Sequence, residues 1–266
     1  MRFDSINELI RPAYNALGDL KAGYPEKRNI LLKDKYNGKR CIILGTSRQL
    51  NLIDLAKLKA EHTFACNFFH RHPQFTSMNL DFYSYTVPIK MLIKKAINNN
   101  RRLPFYDLED DSRDCHYKLF ANALSKKYIE TNGLMEKVDM FYVKSKGPTQ
   151  EISTLQVDPT RRMHFMDGAI FFMVAMAIYM GFSEIFLLGA GYTHKPTQHL
   201  HFYDPDAIKR GNLRHDMPIQ PIHVIMEKYI RTKNLKVWNV LPNDCDPVYY
   251  SGISQKEFEE EFSCSF

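Results

Sequence analysis

The side chains best suited to chemistry gather after Tyr192. From 193 the chain reads Thr-His-Lys-Pro-Thr-Gln-His-Leu-His-Phe-Tyr-Asp-Pro, and from 211 Gly-Asn-Leu-Arg-His-Asp-Met-Pro, with no sustained periodicity. Histidine titrates near neutral pH, so His194, His199, His201 and His215 are each candidates to take a proton from an attacking hydroxyl. Tyr192, Lys195, Tyr203 and Arg214 offer donors that stabilise a departing phosphate. A polar stretch of this length inside a compact domain is usually functional, and a water-excluding lid over about 193–221 fits it. The same histidines, with Asp204 and Asp216, also have the donor types for a metal. His199 and His201 have ligand spacing in an extended loop, yet no second motif fixes the geometry. Substrate contact, metal ligation and a solvent-facing loop therefore all stay open. His62, His70, His72 and His116 lack an evident partner and read as surface residues.

These groups need a scaffold, and two segments supply its pattern. Cys41-Ile42-Ile43-Leu44 is a continuous apolar run that ends in the small, glycine-opened turn Gly45-Thr46-Ser47-Arg48. A helical pattern over 51–60 and a second apolar run, Phe64-Ala65-Cys66-Asn67-Phe68, complete a β-α-β unit. The second segment runs from Asp167-Gly168 through a helix over 169–180 that is apolar nearly all round. Gly181 closes that helix, and the buried strand Glu184–Leu188 follows and ends in Gly189-Ala190-Gly191-Tyr192. Further strands are expected over 80–86, 138–143 and 236–241, the last ending in a Pro242-Asn243-Asp244 turn. Helices are expected over 4–20, 89–97, 114–131, 222–232 and 254–261.

The fold class is α/β: a Rossmann-like, mostly parallel sheet with helices on both faces and a small lid. Residues 1–35 read as an N-terminal helical extension and 36–266 as one Rossmann-like domain, which the resemblance described below implies is nucleotide-sugar-binding. In such sheets anions and nucleotides bind at the carboxyl ends of the strands, where backbone N–H groups are free. The turns after Leu44, Cys66 and Leu188, with Asp167-Gly168 and Pro242-Asn243, should outline one cleft there. The Gly45 turn lacks the second and third glycines of a dinucleotide fingerprint. Asp167 reads equally well as a plain helix cap, and Tyr192 as packing for the strand end.

Composition narrows the partners. The 266 residues carry a formal charge of +6, partly in Lys90, Lys94, Lys95, Arg101 and Arg102 and in Lys144, Lys146, Arg161 and Arg162. That balance favours phosphates, a phosphorylated glycolipid or an anionic membrane surface, the bland alternative being a solvated basic face. No recognition motif accompanies it, which argues against nucleic acid. No apolar run approaches a membrane span, and the N-terminus has no signal-peptide core, so a cytoplasmic protein is expected. The helix over 4–20 suits docking on the main domain or on another subunit, or peripheral contact with the inner membrane face. Five scattered cysteines without knuckle spacing read as reduced thiols.

Taken in order, these segments resemble the bacterial lipooligosaccharide sialyltransferases of glycosyltransferase family 42. They also resemble the wider Rossmann-like group, often encoded with surface-polysaccharide genes, that includes the archaeal-type hydroxymethylpterin diphosphokinases. The family's Gly-Asn-Gly-Pro-Ser-Leu loop is matched by Gly45-Thr46-Ser47-Arg48-Gln49-Leu50, and its Cys-Asn-Gln-Phe by Cys66-Asn67-Phe68-Phe69. Its Ser-Gly helix opening, apolar helix and Glu-Ile-Tyr-Leu strand are matched by Asp167-Gly168 through Leu188, and its Cys-Pro-Asn-Ser by Leu241-Pro242-Asn243-Asp244. The resemblance implies metal-independent transfer of sialic acid from a CMP-activated donor to a glycan or glycolipid acceptor, with no further cofactor. It also implies a homo-oligomer, which no feature of the sequence shows. By position it implies nucleotide and donor binding by Gly45, Thr46, Ser47, Asn67, Asp167, Gly168, Gly191, Tyr192, Tyr203, Pro242 and Asn243, with His215 as general base. Three departures bear on the donor: Thr46 replaces the loop asparagine, Asp167 the helix-opening serine, and Gly191 an acidic residue. Two other readings stand beside it: an Mg-dependent diphosphate or phosphate transferase with Asp167 and lid acids on the metal, and a non-catalytic nucleotide-binding member.

Overall fold

A computed structural model describes residues 27–87, 108, 116–144, 155, 157–163, 168–196, 201–203 and 221–263. The expected helices over 4–20 and 89–97 lie outside them. The described residues form ten strands: β1 Arg40–Leu44, β2 His62–Cys66, β3 Phe82–Tyr85, β4 Lys118–Asn122, β5 Asp139–Val143, β6 Glu184–Leu188, β7 His194–Lys195, β8 Lys236–Leu241, β9 Asp246–Pro247 and β10 Ser251–Ser254. The α-helices longer than one residue are α1 Lys126–Thr131, α2 Ala169–Tyr179, α3 Pro221–Thr232 and α4 Gln255–Ser263.

Eight strands form one sheet in the order β10-β8-β6-β1-β2-β3-β4-β5, and every pairing in it is parallel. A sheet of this kind must be covered on both faces. Alternation does this residue by residue. Cys41, Ile43, Phe64, Cys66, Phe82, Phe120, Ile185 and Leu187 face α2 and α3 in one core cluster. Ile42, Leu44, Ala65, Tyr83, Leu119, Phe186 and Leu188 face the other way, toward the 48–58 segment, α1 and α4. Helix α2 buries nearly its whole circumference, including Phe171, Phe172, Met173, Val174 and Met176. The expectation that it runs through the middle of a packed domain holds.

Two expected helices take other forms. The segment after β1 folds into two short 3-10 turns, Arg48–Leu52 and Leu55–Leu58, and Asp54 starts the second by turning its carboxylate onto the Ala56 N–H at 3.1 Å. The run read as a helix over 114–131 holds β4 and only the short α1. Leu119 and Phe120 are both buried, on opposite faces, and a strand buried on both sides shows no polar face to reveal its period. The pair β7–β9, antiparallel, and the edge strand β10 were not anticipated.

Among the described residues, the opposite edge strand, β5, is met by side chains rather than by another strand. Arg28 donates to the Met140 carbonyl at 3.0 Å and pairs with Asp139, and Asn29, fully buried, donates to the carbonyls of Tyr142 and Pro159 at 2.9 and 2.8 Å. Residues from 27 onward thus sit against the sheet. Among the described residues, no helix is long and apolar enough to cross a membrane.

Candidate functional site

The strand order places the reversal of the sheet between β1 and β6. From β1 the chain steps outward through β5, then returns to β6 on the other side of β1. At such a point the loops leaving two adjacent strands part and open a crevice at their carboxyl ends. Here those loops are the Gly45 and Gly189 turns. They touch closely: a Cβ at Gly45 would lie 2.2 Å from the Gly189 carbonyl oxygen, and Gly189 has φ +72°. The Gly45 and Ser47 N–H groups donate to the Leu188 and Gly189 carbonyls at 2.8 and 3.0 Å. Gln49, which sequence reasoning passed over, locks the corner from below. Its Oε1 accepts the Gly189 N–H at 3.0 Å while its Nε2 donates to the Val240 carbonyl at 3.1 Å, so β1, β6 and β8 share one buried amide.

Residues 201–203 lie on this corner. The Phe202 N–H donates to the Thr46 carbonyl at 3.1 Å, Ser47 and His201 form an isolated antiparallel bridge, and Thr46 Oγ1 and His201 Nδ1 are 2.8 Å apart. Tyr203 stacks on His201 with ring centres 4.9 Å apart and meets Phe68 at 5.3 Å. Phe202 packs edge-on to His72. The aromatic side chains of 201–203 therefore join the β1 turn to the turn after β2.

That second turn is built around Asn67, whose φ of 52° is tolerated by asparagine better than by most residues. The buried Tyr83 hydroxyl donates to the Asn67 carbonyl at 2.6 Å and accepts the His70 N–H at 3.1 Å, holding the turn in shape. His70 and His72 are each only 4% exposed, so the surface reading of both is corrected; their neighbours are the aromatic rings of this turn. His116 is exposed, and His62 is part-buried beside Asp81 at 3.3 Å.

Several polar atoms at this edge have no hydrogen-bond partner among the described residues: Ser47 Oγ, Asn67 Oδ1, Ser84 Oγ and Asn122 Nδ2. They stand at or just beyond the carboxyl ends of β1, β2, β3 and β4, four strands in a row. Ser84 and Asn122 are wholly buried on the α2 side of the sheet, the side on which Cys66 lies. Proteins seldom leave buried polar atoms unpaired, because each costs about 1–3 kcal/mol. A run of them along one edge is the signature of a surface completed by something polar.

On the α2 side the edge is closed by Tyr192. Its hydroxyl lies 3.3 Å from where a Cβ of Gly168 would stand, at the start of α2, and 3.3 Å from His223 Nε2. His223 Nδ1 is 2.7 Å from the Tyr250 hydroxyl, and its ring stacks on Tyr249 at 4.9 Å. His223 is wholly buried, and burial lowers its pKa from 6.5 to about 4, so it is neutral at physiological pH. The Tyr192 hydroxyl is pushed well up from 10.0, first by burial and then by the neighbouring Cys66 and Tyr249, and stays protonated. Burial likewise raises the Cys66 thiol to about 12, which makes it a packing group rather than a nucleophile. The Tyr192 turn itself is fixed by Thr193, whose Oγ1 donates to Asn239 Oδ1 at 3.1 Å, while Asn239 Nδ2 donates to the Thr193 carbonyl at 2.8 Å.

The structure thus brings together Gly45, Thr46, Ser47, Asn67, Gly168, Tyr192 and Tyr203 along the carboxyl edge of the sheet. Gly191 is buried within the Gly189–Tyr192 turn. Pro242, buried, and Asn243, exposed, follow β8, one strand beyond β6. Asp167, His199 and His215 lie outside the described residues. His194 is buried with Nδ1 3.1 Å from the Pro196 carbonyl and pairs through β7 with β9, while His201 lies on Thr46. Among the described residues, no three His, Cys, Asp or Glu side chains gather as metal ligands. The sequence reading missed Gln49, Ser84, His223 and Tyr250. For His223 a signal existed: it falls among Ile222, Met226 and Ile230 on the buried face of α3, where a histidine needs partners.

No family model and no curated protein matches this chain. Among solved structures it is similar to the sialyltransferase CstII from Campylobacter jejuni in complex with cytidine-5'-monophosphate, at 15% identity and a TM-score of 0.37, over 77% of this chain and 80% of that one. The same enzyme in complex with CMP-3FNeuAc is similar at 13% identity and a TM-score of 0.39, over 76% and 80% of the two chains. The monofunctional alpha-2,3-sialyltransferase Cst-I from Campylobacter jejuni is similar at 10% identity and a TM-score of 0.38, over 76% and 75%.

Proposed function

We propose that this protein is a glycosyltransferase of bacterial surface-glycan assembly. It takes a nucleotide-activated sugar, a CMP-linked acidic sugar such as sialic acid, and transfers it to a glycan or glycolipid acceptor. The observation that carries the reading is the row of buried polar atoms without a partner among the described residues, Ser47 Oγ, Asn67 Oδ1 and Ser84 Oγ, beside the point where the sheet reverses. A ligand rich in hydroxyl, carbonyl and amino groups would satisfy such atoms, and a nucleoside has all of these. Aromatic rings at Phe68 and Tyr203 beside them offer stacking to a base. The Tyr192 hydroxyl, kept protonated, is suited to donate to the departing phosphate rather than to act as a base.

The acceptor hydroxyl must lose its proton as the glycosidic bond forms. We assign that step to His215 in the lid, and the exclusion of water to the lid segment whose 201–203 stretch crosses Thr46. We place the protein in the cytoplasm, at the inner membrane face where a lipid-linked acceptor is presented.

Thermal shift and calorimetry with CMP, UMP, GMP and ADP test the reading. CMP should raise the melting temperature most, and transfer from a CMP-sugar should survive chelation and be lost in His215→Ala. If no nucleotide stabilises the protein, the reading is wrong. If ATP binds only with a divalent ion, the phosphate-transfer alternative replaces it.

A further inference from the structure

The Tyr192–His223–Tyr250 chain is buried at its far end and only partly buried at the near one, and this asymmetry has a chemical consequence. A neutral imidazole has one N–H and one bare nitrogen, so the chain must point one way. If His223 Nδ1 carried the proton, it would donate to the Tyr250 hydroxyl, and the proton of Tyr250 would then need an acceptor. Tyr250 is 7% exposed, and its hydroxyl has no other hydrogen-bond partner among the described residues. A buried donor left without an acceptor is costly. The reverse arrangement has no such fault. Tyr250 donates to Nδ1, at the 2.7 Å typical of an O–H donor, and Nε2–H donates to the Tyr192 oxygen at 3.3 Å. Among the described residues, the proton of this relay then left without a partner is that of Tyr192, the member that is part-exposed and stands beside Gly168 at the carboxyl edge.

We propose that His223 is a positioning residue: with Tyr250 behind it, it holds the Tyr192 hydroxyl as a dedicated donor directed at an acceptor oxygen of the ligand. This rests on the nucleotide reading above for the identity of that oxygen, a phosphate oxygen, but not for the direction of the relay. Tyr250 and His223 touch no ligand themselves. Their effect passes through Tyr192, whose lone pair they occupy.

The experiment has two arms on the full chain. In the first, NMR of the ring nitrogens in protein labelled with nitrogen-15 histidine reads the His223 tautomer without any ligand. The expected signal is a protonated Nε2 and a bare Nδ1, becoming a mixture in Tyr250→Phe; a protonated Nδ1 in the native chain overturns the proposal. In the second arm, affinities for CMP and for cytidine are compared by calorimetry. Tyr192→Phe and His223→Phe should each weaken CMP about tenfold while leaving cytidine unchanged, and the double variant should be no worse than either alone. Independent, additive losses, or equal losses for cytidine, would reduce His223 to a packing residue and sink the proposal. If neither CMP nor cytidine binds, the nucleotide reading fails, and the tautomer alone decides the relay.

Discussion

Asn67 separates two demands that usually coincide at one residue. Its backbone, at φ 52°, is held by the Tyr83 hydroxyl on its carbonyl, while its side-chain Oδ1 is buried with no partner among the described residues. Asn67→Gly keeps the backbone shape, since glycine enters the left-handed region freely, and deletes the unpaired amide. Folding stability in urea should change by no more than about 1 kcal/mol. Affinity for CMP should fall about tenfold or more, as expected for a lost polar contact in a desolvated site. A variant that is strongly destabilised yet binds as before would show that the amide serves the fold. This corner was legible in the sequence because small and polar residues directly after an apolar run leave few other readings. The partners that shape it were not. Tyr83 and Gln49 act over 16 and 140 residues of separation, on Asn67 and Gly189, and no local pattern encodes such contacts.

At the scale of elements, the edge of β5 shows how side chains can satisfy strand carbonyls where, among the described residues, no further strand pairs with them. Asn29 sends both donors of one amide to backbone carbonyls, Tyr142 on the edge and Pro159 beyond it. Asn29→Ala would leave those two buried acceptors without that donor. It should destabilise the protein by about 2 kcal/mol and, by baring part of the edge, raise its tendency to aggregate on heating. Unfolding by urea and light scattering during a melt measure the two effects; an unchanged urea midpoint would mean that the carbonyls find other donors. Element prediction failed where burial erased the pattern. In β4, Leu119 and Phe120 are both buried and adjacent, which suits a helix segment as well as a strand, and only pairing with β3 and β5 decides the matter. Within 48–58 the second 3-10 turn is capped by Asp54, a competition between side chain and backbone that apolar spacing does not register.

For the whole molecule, the buried histidines tie folding to pH. His223 has its pKa lowered from 6.5 to about 4, and His72 and His194 are also lowered, in each case chiefly by burial. The unfolded chain binds a proton at each as pH drops through 6.5, whereas the folded chain resists, so protons pull the equilibrium toward unfolding. Stability from this source is complete above 6.5 and drains away as pH falls through the lowered values. For His223 alone, a drop from 6.5 to about 4 at 1.36 kcal/mol per unit gives roughly 3 kcal/mol in all, of which about 2 should be gone by about pH 5. His72 and His194 add to the same slope with the same sign. Urea unfolding between about pH 7 and pH 5 measures it, before most carboxylates titrate. His223→Gln, which cannot take up the proton, should flatten the curve even though it lowers stability at neutral pH. A native curve without slope in this window would mean that these imidazoles take up protons in the folded chain as readily as in the unfolded one, and the neutral relay from Tyr250 to Tyr192 would then be lost below about pH 6.5 rather than persisting to about pH 4.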